Sequence, residues 1–173
     1  MSRPHPHPPA RRLVIVYLVI FCLFAGGPVD TRGADILDDS LSPHKQYSVQ
    51  FQWANRNTAV SLSPEEFYLL ESTVPGIEVR LDTAAYEGRR ARIYLALARQ
   101  IEGLISTESF LLSWKTDRQF YPGSVRPGNR TLLFDGVIES PVLVEIFTFT
   151  LEVDARYLHG KIQYAPVYEI ETE

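Results

Sequence analysis

Two arginines and a tyrosine alternate along one predicted strand, and their side chains are well suited to recognising a partner. Arg90, Arg92 and Tyr94 occupy one parity of the segment 90–98, and alternate residues of a strand point to the same face. Arginine and tyrosine are enriched among the residues that dominate binding energy at protein interfaces, and a guanidinium binds carboxylates in a forked geometry. The pattern therefore predicts a binding face, and the two ligands that suit it are an acidic protein partner and an anionic glycan.

The same strand has a second interpretation, in which the arginines keep an exposed sheet face soluble. They would then pair with Glu78 or Asp82 on the neighbouring strand, since opposite charges side by side stabilise a sheet. Both interpretations place Ile93, Leu95 and Leu97 on the buried side of the strand. Of the two interpretations, the sequence alone favours the second, in which the arginines keep the sheet face soluble.

Aromatic residues in predicted loops indicate an alternative function. Tyr86, Phe120 and Tyr121 lie between predicted strands, and ligand pockets combine aromatic walls with a few convergent polar groups. A carbohydrate- or small-ligand-binding module is therefore the alternative to a protein-contact module.

The residue types needed for catalysis or metal binding are sparse beyond the first 33 residues. The histidines there are His44 and His159, both in predicted loops or turns, and no serine lies in a Gly-x-Ser-x-Gly elbow. Asp35, Asp38 and Asp39 lack the spacing and glycine turn of an EF-hand calcium loop. We expect no enzymatic activity, no cofactor and no metal site.

The N-terminus has the pattern of an export signal. A basic start precedes an apolar run at 13–25, and small residues follow it. As a helix this run spans about 20 Å, short of the roughly 30 Å hydrocarbon core of a bilayer. Cleavage after Ala25 or Gly33 gives a periplasmic or secreted protein. The alternative is an uncleaved single-pass anchor with the remainder outside the cytoplasm.

Charge and cysteine content exclude other classes of protein. Residues 35–173 hold 13 Lys and Arg against 20 Asp and Glu, a formal net charge of −7, whereas nucleic-acid-binding domains are usually basic. The one cysteine, Cys22, lies in the apolar run, so the sequence provides no disulfide framework. Asn129 begins an Asn-Arg-Thr sequon, which is an acceptor for N-glycosylation only in a eukaryotic secretory pathway.

Alternating apolar residues predict an all-β fold. The expected strands lie at 46–53, 58–62, 77–81, 90–98, 110–116, 130–134, 142–153, 157–164 and 167–170. A capping box at 63–66 predicts one short helix near 64–71. The strand at 142–153, apolar on both parities, is expected to be central or bulged, and the one at 167–170 to lie at a sheet edge. The architecture that fits is an antiparallel two-sheet sandwich, Ig-like in broad architecture, with seven to nine strands; a small barrel is the alternative.

These observations divide the chain into three parts. Residues 1–33 form a signal peptide or N-terminal membrane anchor, 34–45 a polar lead-in, and 46–173 the β-sandwich domain. The function expected from them is an exported, non-enzymatic protein that acts through protein contacts. We expect an accessory or structural component of the cell envelope or surface.

Overall fold

The chain folds mainly as antiparallel β-structure. The structure, a computed structural model, describes residues 33–43, 50–54 and 68–173. The strands in these ranges are β1 (Asp35–Ile36), β2 (Gln52–Trp53), β3 (Leu69–Asp82), β4 (Arg90–Leu97), β5 (Glu102–Leu104), β6 (Phe110–Thr116), β7 (Gly123–Val125), β8 (Arg130–Val137), β9 (Val142–Asp154), β10 (Leu158–Gln163) and β11 (Pro166–Thr172). Short 3-10 turns at Ala84–Tyr86, Thr107–Ser109 and Ala155–Tyr157 connect some of them. The all-β prediction is confirmed.

The described strands form three antiparallel sheets. One has the order β1-β11-β4-β8, a second the order β2-β3-β9-β6-β7, and β10 pairs with β5 in a two-stranded ribbon. The strand predicted at 142–153 is β9, and it is central, with β3 on one side and β6 on the other. Its apolar residues on both parities fit this position.

The inward residues of the two larger sheets belong to one hydrophobic core. Ile93 and Leu95 of β4 are fully buried, as is Phe147 of β9. The Phe147 ring stacks on Phe149 at 5.0 Å between centroids and lies 6.4 Å from Tyr168 of β11. Complete burial of one such side chain contributes about 1.5–3 kcal/mol, so these contacts hold the four-stranded sheet against the five-stranded one.

The short helix predicted near 64–71 does not extend to residue 71: Tyr68 has 3-10 helical conformation, and residues 69–71 are extended. Residues 64–67 lie outside the described ranges, but Leu69 already begins β3 and pairs with Asp154. The strand then continues through Pro75 and Gly76 by means of a bulge, in which Gly76 has φ +73°. Pairing with β9 therefore sets the extended conformation from Leu69 onward.

The lead-in at 34–45 contributes to the sheet at its beginning. Asp35 and Ile36 form β1 against β11, and Leu37 is buried in the core with its N–H donated to the Tyr168 carbonyl at 2.8 Å. β11 therefore lies between β1 and β4, whereas the sequence predicted a sheet edge there.

Some sequence predictions lie outside the described residues. They are the apolar run at 13–25, the strand at 58–62 and the first four residues of the strand at 46–53. The end of that last strand is present as β2, which pairs with Leu70 and Glu71 of β3. Within the described ranges, no helix has the length and hydrophobicity needed to cross a bilayer.

Candidate functional site

Strand β4 places the predicted binding residues on the outer face of the four-stranded sheet. Its inward residues Ala91 and Ile93 are at most 1 % exposed. The side chains of Arg90 and Arg92 are 56 % and 47 % exposed, and Tyr94 is half-buried between its neighbours. The predicted orientation of this strand is confirmed.

Both arginines are already paired with carboxylates of adjacent strands. Asp135 of β8 accepts hydrogen bonds from Arg90 Nη2 at 2.9 Å and from Arg92 Nε at 3.2 Å. On the other side, Glu173 lies 3.7 Å from Arg90 Nε and 3.4 Å from Arg92 Nη2. Each guanidinium is therefore held between two carboxylates.

A third arginine completes the surface. Arg130 of β8 donates to Glu169 at 3.1 Å and to Glu171 at 2.7 Å, both on β11. Its guanidinium carbon lies 4.3 Å from the centre of the Tyr94 ring, within the range of a cation–π contact. The Tyr94 hydroxyl donates to Glu171 at 3.1 Å.

These outer-face side chains of β11, β4 and β8 form one continuous charged surface. We call it the Arg–Tyr face, and it consists of Arg90, Arg92, Tyr94, Arg130, Asp135, Glu169, Glu171 and Glu173. Arg130 and the β11 glutamates were not among the predicted site residues. The signal that could have found them is the alternation of glutamate at 169, 171 and 173.

The ion-pair partners predicted for β4 are wrong. Glu78 and Asp82 lie on β3, which belongs to the five-stranded sheet, whereas the neighbours of β4 are β11 and β8. Glu78 instead pairs with Arg80 on its own strand, at 2.7 Å. The sequence indicated that the arginines of β4 form ion pairs. The order of strands in the sheet determines which carboxylates are their partners.

The contacts on the Arg–Tyr face shift the pKa of its titratable groups. The hydrogen bond from Arg92, with the nearby charge of Arg90, holds the pKa of Asp135 below its ordinary value. The hydrogen bond from Arg130 lowers the pKa of Glu171. Partial burial, and then the hydrogen bond to Glu171, raise the pKa of Tyr94.

The three loop aromatics do not form one site. Phe120 is only 3 % exposed and packs 6.1 Å from the Phe147 ring, so it serves the core and presents no free face to a ligand. The Tyr86 hydroxyl donates to Asp35 at the β1 edge, while the Tyr121 N–H pairs with the Leu133 carbonyl of β8. β1 and β8 are opposite edges of the four-stranded sheet, about 14 Å apart.

Sequence reasoning missed a fully buried carboxylate on β9. Glu145 has no exposed surface. One of its oxygens accepts the N–H groups of Arg118 and Ile146 at 3.0 and 2.9 Å, and the other accepts those of Gln119 and Phe120, both at 2.9 Å. Four donors satisfy the buried carboxylate, which ties the loop between β6 and β7 to the central strand.

The histidines and aspartates considered as catalytic or metal-binding residues do not cluster in the described part of the chain. His159 is exposed on β10, and His44 lies outside the described residues. Asp35 and Asp38 have local partners, the Tyr86 hydroxyl and the Ser40 N–H. In the part of the chain that the structure describes, no three His, Cys, Asp or Glu side chains come together as metal ligands would. Asn129 of the sequon is exposed in the turn before β8.

Comparison with known proteins identifies no relative. No protein-family model matches the chain, and neither a curated protein nor a solved structure matches it significantly.

We expect Asp135→Asn to lower the stability of the folded protein, and to lower it most near neutral pH. A carboxyl whose pKa is lowered by folding stabilises the native state above its unfolded pKa of about 3.9, and this contribution is lost as the pH falls through the folded value. The melting temperature of the variant should therefore lie below that of the wild type at about pH 6, and the gap should narrow by about pH 2. Exposed Glu139→Gln is the control, with no such gap. A gap for Asp135→Asn that is equal at both pH values would contradict the ion-pair arrangement.

Glu145→Ala should destabilise the fold strongly. It leaves three loop N–H groups without their acceptor, and that of Phe120 is buried, where an unsatisfied donor costs about 1–3 kcal/mol. Urea unfolding followed by tryptophan fluorescence should show that the free energy of unfolding falls by at least about 1 kcal/mol. Glu152→Ala, on the same strand but pointing outward, should change stability by less than about 0.5 kcal/mol. Equal unfolding midpoints for the two variants would refute this role of Glu145.

Proposed function

We propose that the protein is an exported, non-enzymatic β-sandwich, Ig-like in broad architecture, that acts through protein contacts made by the Arg–Tyr face. In this proposal it is an accessory or structural component of the cell envelope or surface. The basic and apolar pattern of residues 1–33 supports export. The core shared by the four- and five-stranded sheets supports the two-layer description.

The observation that carries the proposal is the fixed arrangement of exposed side chains on the Arg–Tyr face. The side chains of Arg90, Arg92 and Arg130 are 41–56 % exposed, yet each is held by two carboxylates. Ordering a long side chain at an interface costs about 0.5–1.5 kcal/mol. Because these side chains are ordered before binding, a partner that meets them avoids much of that cost.

The composition of the face also supports protein contacts. Arginine and tyrosine lie at its centre, with Arg130 stacked on Tyr94, and both residue types are frequent among interface hot spots. Isolated surface ion pairs contribute only about 0–1 kcal/mol each to stability. In a network of several charges such as this face, the pairs also hold one another in place, so the network presents the arginines and the tyrosine to a partner in a fixed arrangement.

A capture experiment tests the protein-contact proposal. The full chain, with an affinity tag on a flexible C-terminal linker, is expressed in the cells that produce it naturally, and bound proteins are quantified. Arg90→Glu/Arg92→Glu sets two new carboxylates beside Asp135 and Glu173, so recovery of specific partners should fall at least about fivefold. Arg90→Gln/Arg92→Gln removes the charges without reversing them, and should reduce recovery less.

The control for this experiment lies on another part of the surface. Tyr157→Ala changes an exposed residue beyond β9 and should retain every partner. Thermal unfolding of each variant separates loss of binding from loss of fold. Equal recovery of all partners by wild type and both arginine variants would dismiss the face as the contact surface.

A ligand-binding module is the second candidate function. The observation that favours it lies around Tyr157, away from the predicted loop aromatics Tyr86, Phe120 and Tyr121. The Arg156 guanidinium lies 4.9 Å from the Tyr68 ring centre and 5.8 Å from that of Tyr157, and both rings are partly exposed. Ile105, 69 % exposed, donates its N–H to the Tyr157 carbonyl and borders an open recess of about 760 Å³. Partners or ligands lost on Tyr157→Ala but retained by the arginine variants would favour this candidate.

A further inference from the structure

We propose that the Arg–Tyr face is the contact surface of a reversible homodimer, in which the glutamates of β11 in one copy lie opposite the arginines of β4 in the other. This inference rests on the proposed function and names the protein partner, which is a second copy of the chain.

The charges of the Arg–Tyr face are sorted into two columns. Glu169, Glu171 and Glu173 lie along β11 and its end, with neighbouring carboxylates about 6.7 Å apart along the strand. Strand β4 presents Arg90 and Arg92 at the same spacing. Glu171 is paired with Arg92, and the Glu173 N–H donates to the Arg90 carbonyl at 3.2 Å. An acidic column therefore lies directly beside a basic one.

The face has free hydrogen-bonding capacity of both kinds. A guanidinium has five N–H donors, and an ionised carboxylate has about four acceptor positions. Arg90 donates one side-chain hydrogen bond, while Arg92 and Arg130 donate two each. Among the described residues, Glu169 and Glu173 accept one each. A partner that uses this capacity carries both basic and acidic groups, and the face itself is a surface of that kind.

A two-fold axis parallel to the strands makes the face complementary to itself. With the axis midway between β11 and β4, β11 of one copy lies against β4 of the other at the same level along the strands. Glu171 then faces Arg92 of the second copy, and Glu173 faces Arg90. A two-fold axis across the strands would instead set the glutamates of the two copies against each other. Since like charges across an interface are unfavourable, the charges select the first arrangement, an isologous contact of the commonest symmetry.

An apolar contact fits the same arrangement. Ile36 of β1 is paired with Glu169, and Glu169 with Tyr94. Tyr94 is paired with Leu132 of β8, so Ile36 and Leu132 lie at the same level on the two edge strands. The rotation exchanges these edges, and Ile36 meets Leu132 of the second copy. Ile36 is 73 % exposed in a single copy, and the contact removes it from water, which is favourable.

The size of the face indicates a weak dimer. Four strands about 4.8 Å apart and the seven residues of β11 at about 3.4 Å each make a face of roughly 450 Å². Two copies together bury roughly 900 Å², close to the value of about 1,000 Å² at which specific interfaces begin. Association is therefore reversible, and salt weakens it because charges form the centre of the contact.

Capture of one tagged copy by another tests the dimer. The full chain is co-expressed with two different tags, each on a flexible C-terminal linker, in the cells that produce it naturally. The second tag is quantified after capture of the first from a mild detergent extract. Arg90→Glu/Arg92→Glu in both copies sets carboxylates against carboxylates, so recovery should fall at least about tenfold. Glu171→Lys/Glu173→Lys in both copies sets cations against cations and should have the same effect.

Combining the two variants tests which columns face each other. At the changed positions, β4 and β11 are both acidic in Arg90→Glu/Arg92→Glu and both basic in Glu171→Lys/Glu173→Lys. When one copy carries each variant, the facing pairs are attractive again, and recovery should return to within about threefold of the wild type. Such a return also shows that both variants are folded.

A control variant keeps the change in charge and moves it off the face. Lys115→Glu/Arg118→Glu changes two exposed side chains of β6 and the loop after it. Its net charge changes as much as that of Arg90→Glu/Arg92→Glu, yet recovery should stay within about twofold of the wild type. Ile36→Glu leaves the ion pairs of the face intact and should reduce recovery at least about threefold, because it puts a carboxylate against an apolar side chain.

The outcomes separate the dimer from the protein-contact function. Failure of wild-type copies to capture each other, equal recovery with the arginine variant and its control, or no return for the combined variants when both are folded would overturn the dimer. If a charge variant does not fold, unchanged recovery with Ile36→Glu would overturn it. Loss of other proteins with Arg90→Glu/Arg92→Glu would then leave the function standing with a different partner. Equal recovery of every protein, the second copy included, would overturn both.

Discussion

Strand β4 directs alternate side chains into the core and toward solvent, and both halves of this pattern must be satisfied at once. Ile93 and Leu95 fill the core while Arg90 and Arg92 face solvent, and a shift of pairing by one residue would exchange the two sets. Two buried arginines without partners would cost far more than the fold can supply. Because β4 lies between β11 and β8, the same register also aligns the carboxylates of both neighbours with its guanidinium groups. The core and the Arg–Tyr face are therefore fixed by one strand register.

The protein handles carboxylates in two different ways. Glu145 is buried, and backbone N–H groups alone satisfy it, so it holds a loop and leaves no group for a ligand. The Glu169 side chain is 27 % exposed and accepts one hydrogen bond, from Arg130. The buried carboxylate stabilises the fold, whereas the carboxylates of the sheet face hold exposed arginines in place. Function is located on the sheet face because those arginines are both exposed and ordered.

Local patterns predicted most of the strands, and long-range pairing accounts for what was missed. The apolar alternation of β4, β6 and β9 is contained in each segment, so the sequence locates them to within a residue or two. The partner of Arg92 is Asp135 because β8 lies beside β4, and no local signal fixes that order. The sequence around Glu145 shows only an acidic residue at an inward position of a strand. It cannot show what satisfies the carboxylate, because three of the donors lie in a loop more than twenty residues earlier.

Site-specific photo-crosslinking in the cells that produce the protein tests most directly whether the sheet face meets the partner. A photoreactive amino acid replaces, one at a time, Ile36 and Val137 on the outer face of the four-stranded sheet, and Tyr121 and Ile105 elsewhere, all of them exposed. Adducts to the same partner from positions 36 and 137, with none from positions 105 and 121, are the predicted result. Adducts that form only from positions 105 or 121 would contradict it.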